Sequence, residues 1–295
     1  MSGIATGRRR ASTIDFLIIG AAKSATTWLQ QALQRHPDVV MPEPELHFFS
    51  RDYDRGFAWY LSQFPEPRGR GVVGEKSNSY LHEAPSAARV ARHLPEARFV
   101  VQVRDPVERA YSDYCMLYRR GEVDADVARH LDPRRAHPRF LGWGLYARQM
   151  QPWLESFAAG RFLFLDAATI RTDRRSHLDR VLGFLDLDPC DLGGTERRVK
   201  DRRTAEVPAR FKPILRPFKP LVAPLRGTRL FRQVHAGIAR PVSYPPLPAE
   251  TRRRLEDFFH EPNLAFRELS GLDLGRPAEP RPPHAATAHE TRVAP

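Results

Sequence analysis

From Gly20 to Leu29 the chain reads GAAKSATTWL, in which Lys23 brings a full positive charge and Ser24, Thr26 and Thr27 bring hydroxyl donors. These residue types, packed this closely, suit the binding of an anion. The apolar run FLIIG leads into them, and Leu29, Ala32 and Leu33 follow at the spacing of a buried helix stripe, with Pro37 as the stop. A strand that turns into a helix N-terminus presents backbone N–H groups and the positive end of the helix dipole. The lysine stands too early for a Walker A loop, and no glycine precedes the threonines, so an ATP or GTP loop is not expected. The competing reading is an ordinary strand-to-helix turn with a solvated lysine. Ala25 lies inside the loop, where its methyl group is expected to require a negative φ.

A second group of residues points the same way. In RFVVQVRDPVERAYSDY a strand ends at Arg104, Asp105 is a good N-cap and Pro106 suits the first helical position. Val107, Ala110, Tyr111, Tyr114 and Leu117 make the buried stripe of the helix. Arg104 and Ser112 can then both face the crevice at the carboxyl ends of the strands, where an arginine fork and a hydroxyl suit a phosphate monoester. The segment MPEPELHFFS adds Glu43, Glu45 and His47 as proton-handling groups, and Lys76 closes the run GVVGEK.

The elements that must position these groups alternate. Strands are expected at Asp15–Gly20, Val72–Lys76, Arg98–Arg104 and Arg161–Asp166. Helices are expected at Thr26–His36, Pro106–Arg120, Gly144–Phe157, Ser176–Leu185 and Ala249–Leu269. Such alternation predicts an α/β fold: a P-loop-NTPase-like three-layer α/β/α arrangement around a central parallel sheet. Residues 1–12 read as a disordered basic lead, 13–275 as one domain and 276–295 as a disordered Pro- and Ala-rich tail. Arg8–Arg10 before FLIIG resemble a twin-arginine export signal, but the apolar run is short, follows Asp15 and is needed as the first strand.

The net charge of +12 is concentrated. Between Arg197 and Arg232 twelve Lys/Arg face two acids, which gives this segment +10. Residues 200–248 hold nine prolines, so 197–248 is expected to make an excursion or lid over the site rather than one helix. No helix-turn-helix, zinc or aromatic-platform pattern accompanies the charge, so no nucleic-acid partner is expected. Residues 211–234 suit a peripheral membrane contact. Two cysteines, Cys115 and Cys190, form no disulfide framework and no metal spacing, which fits a reducing compartment and a cytoplasmic location. No metal site is expected.

The run KSATTW resembles the 5′-phosphosulfate loop of the sulfotransferases that use 3′-phosphoadenosine 5′-phosphosulfate (PAPS), usually K-x-G-T-T-x, with Ala25 in place of the glycine. Arg104 and Ser112 match the spacing of the family's 3′-phosphate site. PELHFFSRDYDRGFAWYLSQFP and the EKSNSY segment resemble the heparan sulfate glucosaminyl 3-O- and N-sulfotransferases. The resemblance implies PAPS as co-substrate, PAP as product, and transfer of a sulfuryl group to a hydroxyl, or less favourably an amine, of a carbohydrate or secondary metabolite. It implies Glu45 as the base, with Glu43 second, and His47 as a supporting or substrate contact. Lys23 would stabilise the leaving phosphate. Lys76 would act as a second cation, unless it merely pairs with Glu75 or another acid. Trp28 would contact adenine, unless it is only core. The family's lysine–glycine–arginine loop and disulfide hairpin have no counterpart; Arg240, or else Lys200, Arg202 or Arg203, would cover the donor. The rival readings are a nucleotide kinase of related topology and a non-catalytic PAP-binding protein that reads a polyanion.

Overall fold

The computed structural model describes residues 14–65, 71–191, 205–206, 240–241 and 243–275. The lead 1–12, the tail 276–295 and Lys200, Arg202 and Arg203 lie outside the described residues, as does segment 211–234. The strands β1 (Phe16–Gly20), β2 (Val39–Val40), β3 (Val72–Lys76), β4 (Arg98–Val103) and β5 (Phe162–Asp166) form one sheet in the order β2-β3-β1-β4-β5. Every pairing in it is parallel. The helices are α1 (Thr26–Leu33), α2 (Phe57–Ser62), α3 (Pro85–His93), α4 (Pro106–Arg120), α5 (Val127–Leu131), α6 (Pro138–Gly142), α7 (Tyr146–Ser156), α8 (Thr169–Thr172), α9 (Arg174–Phe184) and α10 (Ala249–Ser270). Outside the sheet, β6 (Ala205–Glu206) and β7 (Arg240–Pro241) pair antiparallel, with Glu206 opposite Arg240.

The strands are mostly apolar because helices cover both faces of the sheet, with Glu75, Lys76 and Gln102 as buried polar exceptions. Strand alternation assigns the faces. Leu17, Ile19, Phe99, Val101 and Val103 belong to one core, closed by Val90 of α3, Met150 and Trp153 of α7 and Phe266 of α10. Phe16, Ile18, Val100 and Leu165 belong to the other, closed by Trp28 and Leu29 of α1 and Leu178 and Val181 of α9. A third core joins Ala110 and Tyr114 of α4 to Leu131 of α5, Phe140 of α6 and Phe259 of α10. The three-layer parallel architecture expected from the sequence is therefore present.

The order of the strands creates the crevice. From β1 the chain builds β2 and β3 on one side and then crosses to β4 on the other, so the carboxyl ends of β1, β3 and β4 open onto one switch point. The expected elements Val72–Lys76 and Pro106–Arg120 are matched residue for residue, whereas the helix expected over Thr26–His36 stops at Leu33. The helix expected from Gly144 starts at Tyr146, and the one expected from Ser176 starts at Arg174.

One close approach ties β3 to β1. Gly74 pairs with Phe16, and a Cβ at Gly74 would lie 2.3 Å from the Phe16 ring. Gly74→Ala is expected to lower unfolding stability by about 1–3 kcal/mol through overpacking; a urea midpoint equal to the native one contradicts this packing.

Candidate active site

The loop between β1 and α1 is held from below by Gln102 of β4. Its amide donates to the Ser24 carbonyl at 2.5 Å, and the Gln102 carbonyl accepts from Ala21 N at 2.6 Å. Lys23 and Ala25 both adopt left-handed backbone conformations, with φ 73 and 60. The expectation of a negative φ at Ala25 is thus incorrect: this is a position where the family's glycine would be relaxed, and alanine tolerates it at a modest steric cost. Ala25 is the N-cap of α1 and supplies no side-chain cap, so the first-turn amides face the cleft beside the Thr27 hydroxyl. Lys23 Nζ reaches the Met116 sulfur at 3.6 Å. Trp28 is buried, with the Arg174 guanidinium 6.0 Å from its ring and His177 edge-on at 5.9 Å.

Arg104 follows the last residue of β4, which ends at Val103 rather than at Arg104 as expected, and lies across the same cleft; Asp105 caps α4 by accepting from Glu108 N at 2.8 Å. The two oxygens of Glu108 hold two arginines: Arg104 at 3.1 Å and Arg252 of α10 at 2.7 Å. Tyr146 donates to the Arg104 carbonyl at 2.9 Å and fixes the strand end. Ser112 lies on the cleft wall with Arg104, Lys23 and the loop.

Glu45 lies where these walls meet. Its Oε1 accepts from Lys76 Nζ at 2.6 Å and from Asn78 Nδ2 at 3.2 Å, and its Oε2 accepts from Asn78 N at 3.2 Å. Lys76 is only 2 % exposed and also reaches Thr27 Oγ1 at 3.4 Å, whereas the Glu45 side chain is 23 % exposed to the cleft. Glu43 is exposed on the surface and outside the cleft wall, while its carbonyl accepts from Gln30. Of the two acids only Glu45 lines the cleft. Lys76 pairs with Glu45, not with its neighbour Glu75.

His47 stands beside Glu45, with Nε2 3.6 Å from Oε2. The other ring nitrogen, Nδ1, shares a 2.7 Å hydrogen bond with Ser79 Oγ, which in turn shares one of 2.7 Å with Ser50 Oγ; Ser50 also lies 3.1 Å from the His47 carbonyl. Burial pulls the His47 pKa down, opposed by the Glu45 carboxylate, so the ring tends to stay neutral.

The structure adds residues that the sequence did not single out. Arg51, Asn78, Arg139 and Trp143 line the same cleft as Glu45. Arg139 is fixed by Asp113 through contacts of 3.0 and 3.1 Å and packs over Trp143, which stacks on His82 at 3.9 Å. Burial pushes His82 down to about 3, which keeps that ring neutral. Nothing in a local motif marks these residues, because α6 and the segment after β3 meet only in the folded chain. Arg240 lies on β7.

Glu75 points to the face of β3 opposite Lys76 and is fully buried. Its Oε1 accepts from Tyr60 OH at 3.1 Å and Tyr80 OH at 2.5 Å, its Oε2 accepts from Ser77 Oγ at 3.0 Å, and the Leu46 amide adds a fourth donor. Burial nonetheless outweighs these donors and pushes the carboxyl up to about 7. A carboxyl raised this way contributes stability that is complete below its unfolded value near 4.5 and is lost as pH rises through about 7. Between about pH 5 and 8 this group is expected to remove ~3 kcal/mol of stability. Urea unfolding should therefore fall with pH more steeply in the native protein than in Glu75→Gln; parallel profiles contradict the assignment.

The sulfotransferase domain family matches residues 13–202. Heparan sulfate glucosamine 3-O-sulfotransferase 3B1 of Mus musculus is 31% identical over 265 residues, covering 88% of this chain and 64% of its own length. Heparan sulfate glucosamine 3-O-sulfotransferase 6 of Homo sapiens is 30% identical over 277 residues, covering 92% of this chain and 76% of its own. The chain thus spans a little under two thirds of the first of these relatives. Among solved structures, a sulfotransferase from Alicyclobacillus acidocaldarius superposes with a TM-score of 0.62 at 23% identity, over 88% of this chain and 96% of that one, and shares the fold. With the sulfotransferase domain spanning residues 13–202, this chain belongs to the sulfotransferase family.

Proposed function

We propose that the protein transfers the sulfuryl group of PAPS to a hydroxyl of a carbohydrate or small-molecule acceptor. The observation that carries this reading is the convergence, on one cleft, of two anion-binding walls and a carboxylate held between them. The residues fit the donor. A helix N-terminus without a side-chain cap, Lys23 and Thr27 suit the 5′-phosphosulfate, and Arg104 with Ser112 suits a phosphate monoester. Trp28, Ile170 and Arg174 offer a surface for a purine ring at the same end of the cleft. The names of the relatives support a glucosamine-type sugar among carbohydrate acceptors.

PAPS, when bound, supplies an activated sulfuryl group on a phosphate leaving group. Lys23 places positive charge where that phosphate leaves, which is the main tool available in an in-line transfer. Glu45 takes the proton from the acceptor hydroxyl. Lys76 and Asn78 orient its carboxylate, and the buried ammonium of Lys76 favours the ionised form needed at the start. His47, whose Nε2 is 3.6 Å from Oε2, stands beside the carboxylate as a supporting or substrate contact. Arg51, Arg139 and Trp143 form the wall against which the acceptor lies.

Calorimetric titration with PAP is the test. The native protein is expected to bind at micromolar Kd, ATP–Mg²⁺ not to compete, and Lys23→Ala and Arg104→Ala each to weaken binding by at least ~10-fold, the loss of about one charge-assisted contact. PAP affinity untouched by both substitutions contradicts the donor site, and preference for ATP–Mg²⁺ restores the kinase reading.

A further inference from the structure

Two adjacent residues of β3 hold the same short segment from opposite faces. Lys76 grips the Glu45 carboxylate, and Glu75 grips the backbone that follows it. We propose that Glu75 is a positioning residue for the reaction: its ionised carboxylate fixes the amides of Leu46 and His47 and thereby aims Glu45 at the acceptor. The inference rests on the reading of Glu45 as the base.

The hydrogen-bond count carries it. An ionised carboxylate offers about four acceptor sites, and four donors use them: Tyr60 OH, Tyr80 OH, Ser77 Oγ and the Leu46 amide. Because Ser77 spends its only hydrogen on Glu75, its lone pair is free to accept from the His47 amide, and it does so at 2.9 Å. The contact holds His47 at φ 50, a left-handed conformation that a non-glycine residue keeps only when its surroundings impose it. The described titratable groups facing Glu75 are Tyr60 from α2 and Tyr80 from the segment after β3, and burial drives both well above the usual phenol range, so they stay donors.

Protonation at Oε2 turns an acceptor into a donor facing Ser77, so the Ser77 hydroxyl must reverse: its Oγ then accepts from Glu75 as well as from the His47 amide, and its own hydrogen leaves the carboxyl. A glutamine at this position forces the same reversal, with one carbonyl oxygen and an amide that donates toward Ser77. Glu75→Gln therefore imitates the protonated form at every pH. A merely space-filling role for the Glu75–Tyr60–Tyr80 cluster would alter stability and leave the base untouched.

Amide resonances of Leu46 and His47 test this between about pH 5.5 and 8.5, with PAP titration as the control for an intact donor site. In the native protein both amides are expected to move with one midpoint near 7, the value for Glu75. In Glu75→Gln neither should show that midpoint, and both should sit at the native low-pH positions. Ser77→Ala removes one link only, so Leu46 should titrate while His47 does not follow. In sulfuryl transfer from labelled PAPS at about pH 8, Glu75→Gln is expected to lower kcat by about tenfold or more with KM for PAPS unchanged. No shared midpoint in the native protein, its persistence in Glu75→Gln, or an unchanged kcat overturns the proposal. Failure of the native protein to bind PAP would overturn the donor reading instead, and the amide titration would still decide whether Glu75 controls the loop.

Discussion

The ion pair between Lys76 and Glu45 is the contact on which the rest of the site depends. An ammonium that is 2 % exposed cannot stay charged without a partner, and Glu45 at 2.6 Å is that partner. The pair joins the end of β3 to a segment that has no regular structure of its own. Removing either member leaves the other uncompensated in a mostly buried place, a costly defect. The pair also ties Glu45 to the β1–α1 loop, since Lys76 touches Thr27 at the head of α1. The backbone of the same segment is fixed from the other face of β3 by Glu75, and its downstream part by the aromatic cluster in which Phe48 stacks on Tyr60 at 4.8 Å.

Function and stability pull apart at Glu75. A carboxyl with no exposure and a pKa pushed to about 7 is held ionised at a cost that grows with pH. Its four donors offset part of that cost, and what remains is consistent with a group retained for geometry rather than for stability. Gln102 and His177 play a quieter version of the same role beneath the donor loop. Burial pulls His177 down to about 4, so a neutral ring, 2.9 Å from Gln102, supports the amide that holds the Ser24 carbonyl.

Much of this was legible in the sequence, and for physical reasons. The donor loop and the Arg104–Ser112 wall are local: a strand end, a turn and a helix start, each marked by residue types that read without knowledge of the rest of the fold. The Asp105–Pro106 helix start was matched to the residue for that reason. Lys76 was left open between a second cation of the site and a mere pairing with Glu75 or another acid; the fold pairs it with Glu45, because alternation along β3 sends Glu75 and Lys76 to opposite faces. The φ of Ala25 was read wrongly because the turn, not the residue's preference, sets the backbone there. Glu75 entered only as a possible partner of Lys76, although an acid inside the strand VVGEK had to find several donors if that strand was central. Its donors come from α2, from the turn after β3 and from Leu46, and no local pattern joins those pieces. The short helices α5 and α6 were likewise missed, since a turn or two of helix held by the third core carries too few residues to show a period.

The central claim is that Glu45 removes a proton from an acceptor while the opposite walls hold the donor. Transfer of label from PAPS to a panel of hydroxyl and amine acceptors, run with the native protein and Glu45→Gln side by side, tests it most directly. The account predicts labelled product from a hydroxyl acceptor and a turnover at least ~100-fold lower in the variant, with PAP affinity unchanged. Equal turnover in the two proteins would contradict it.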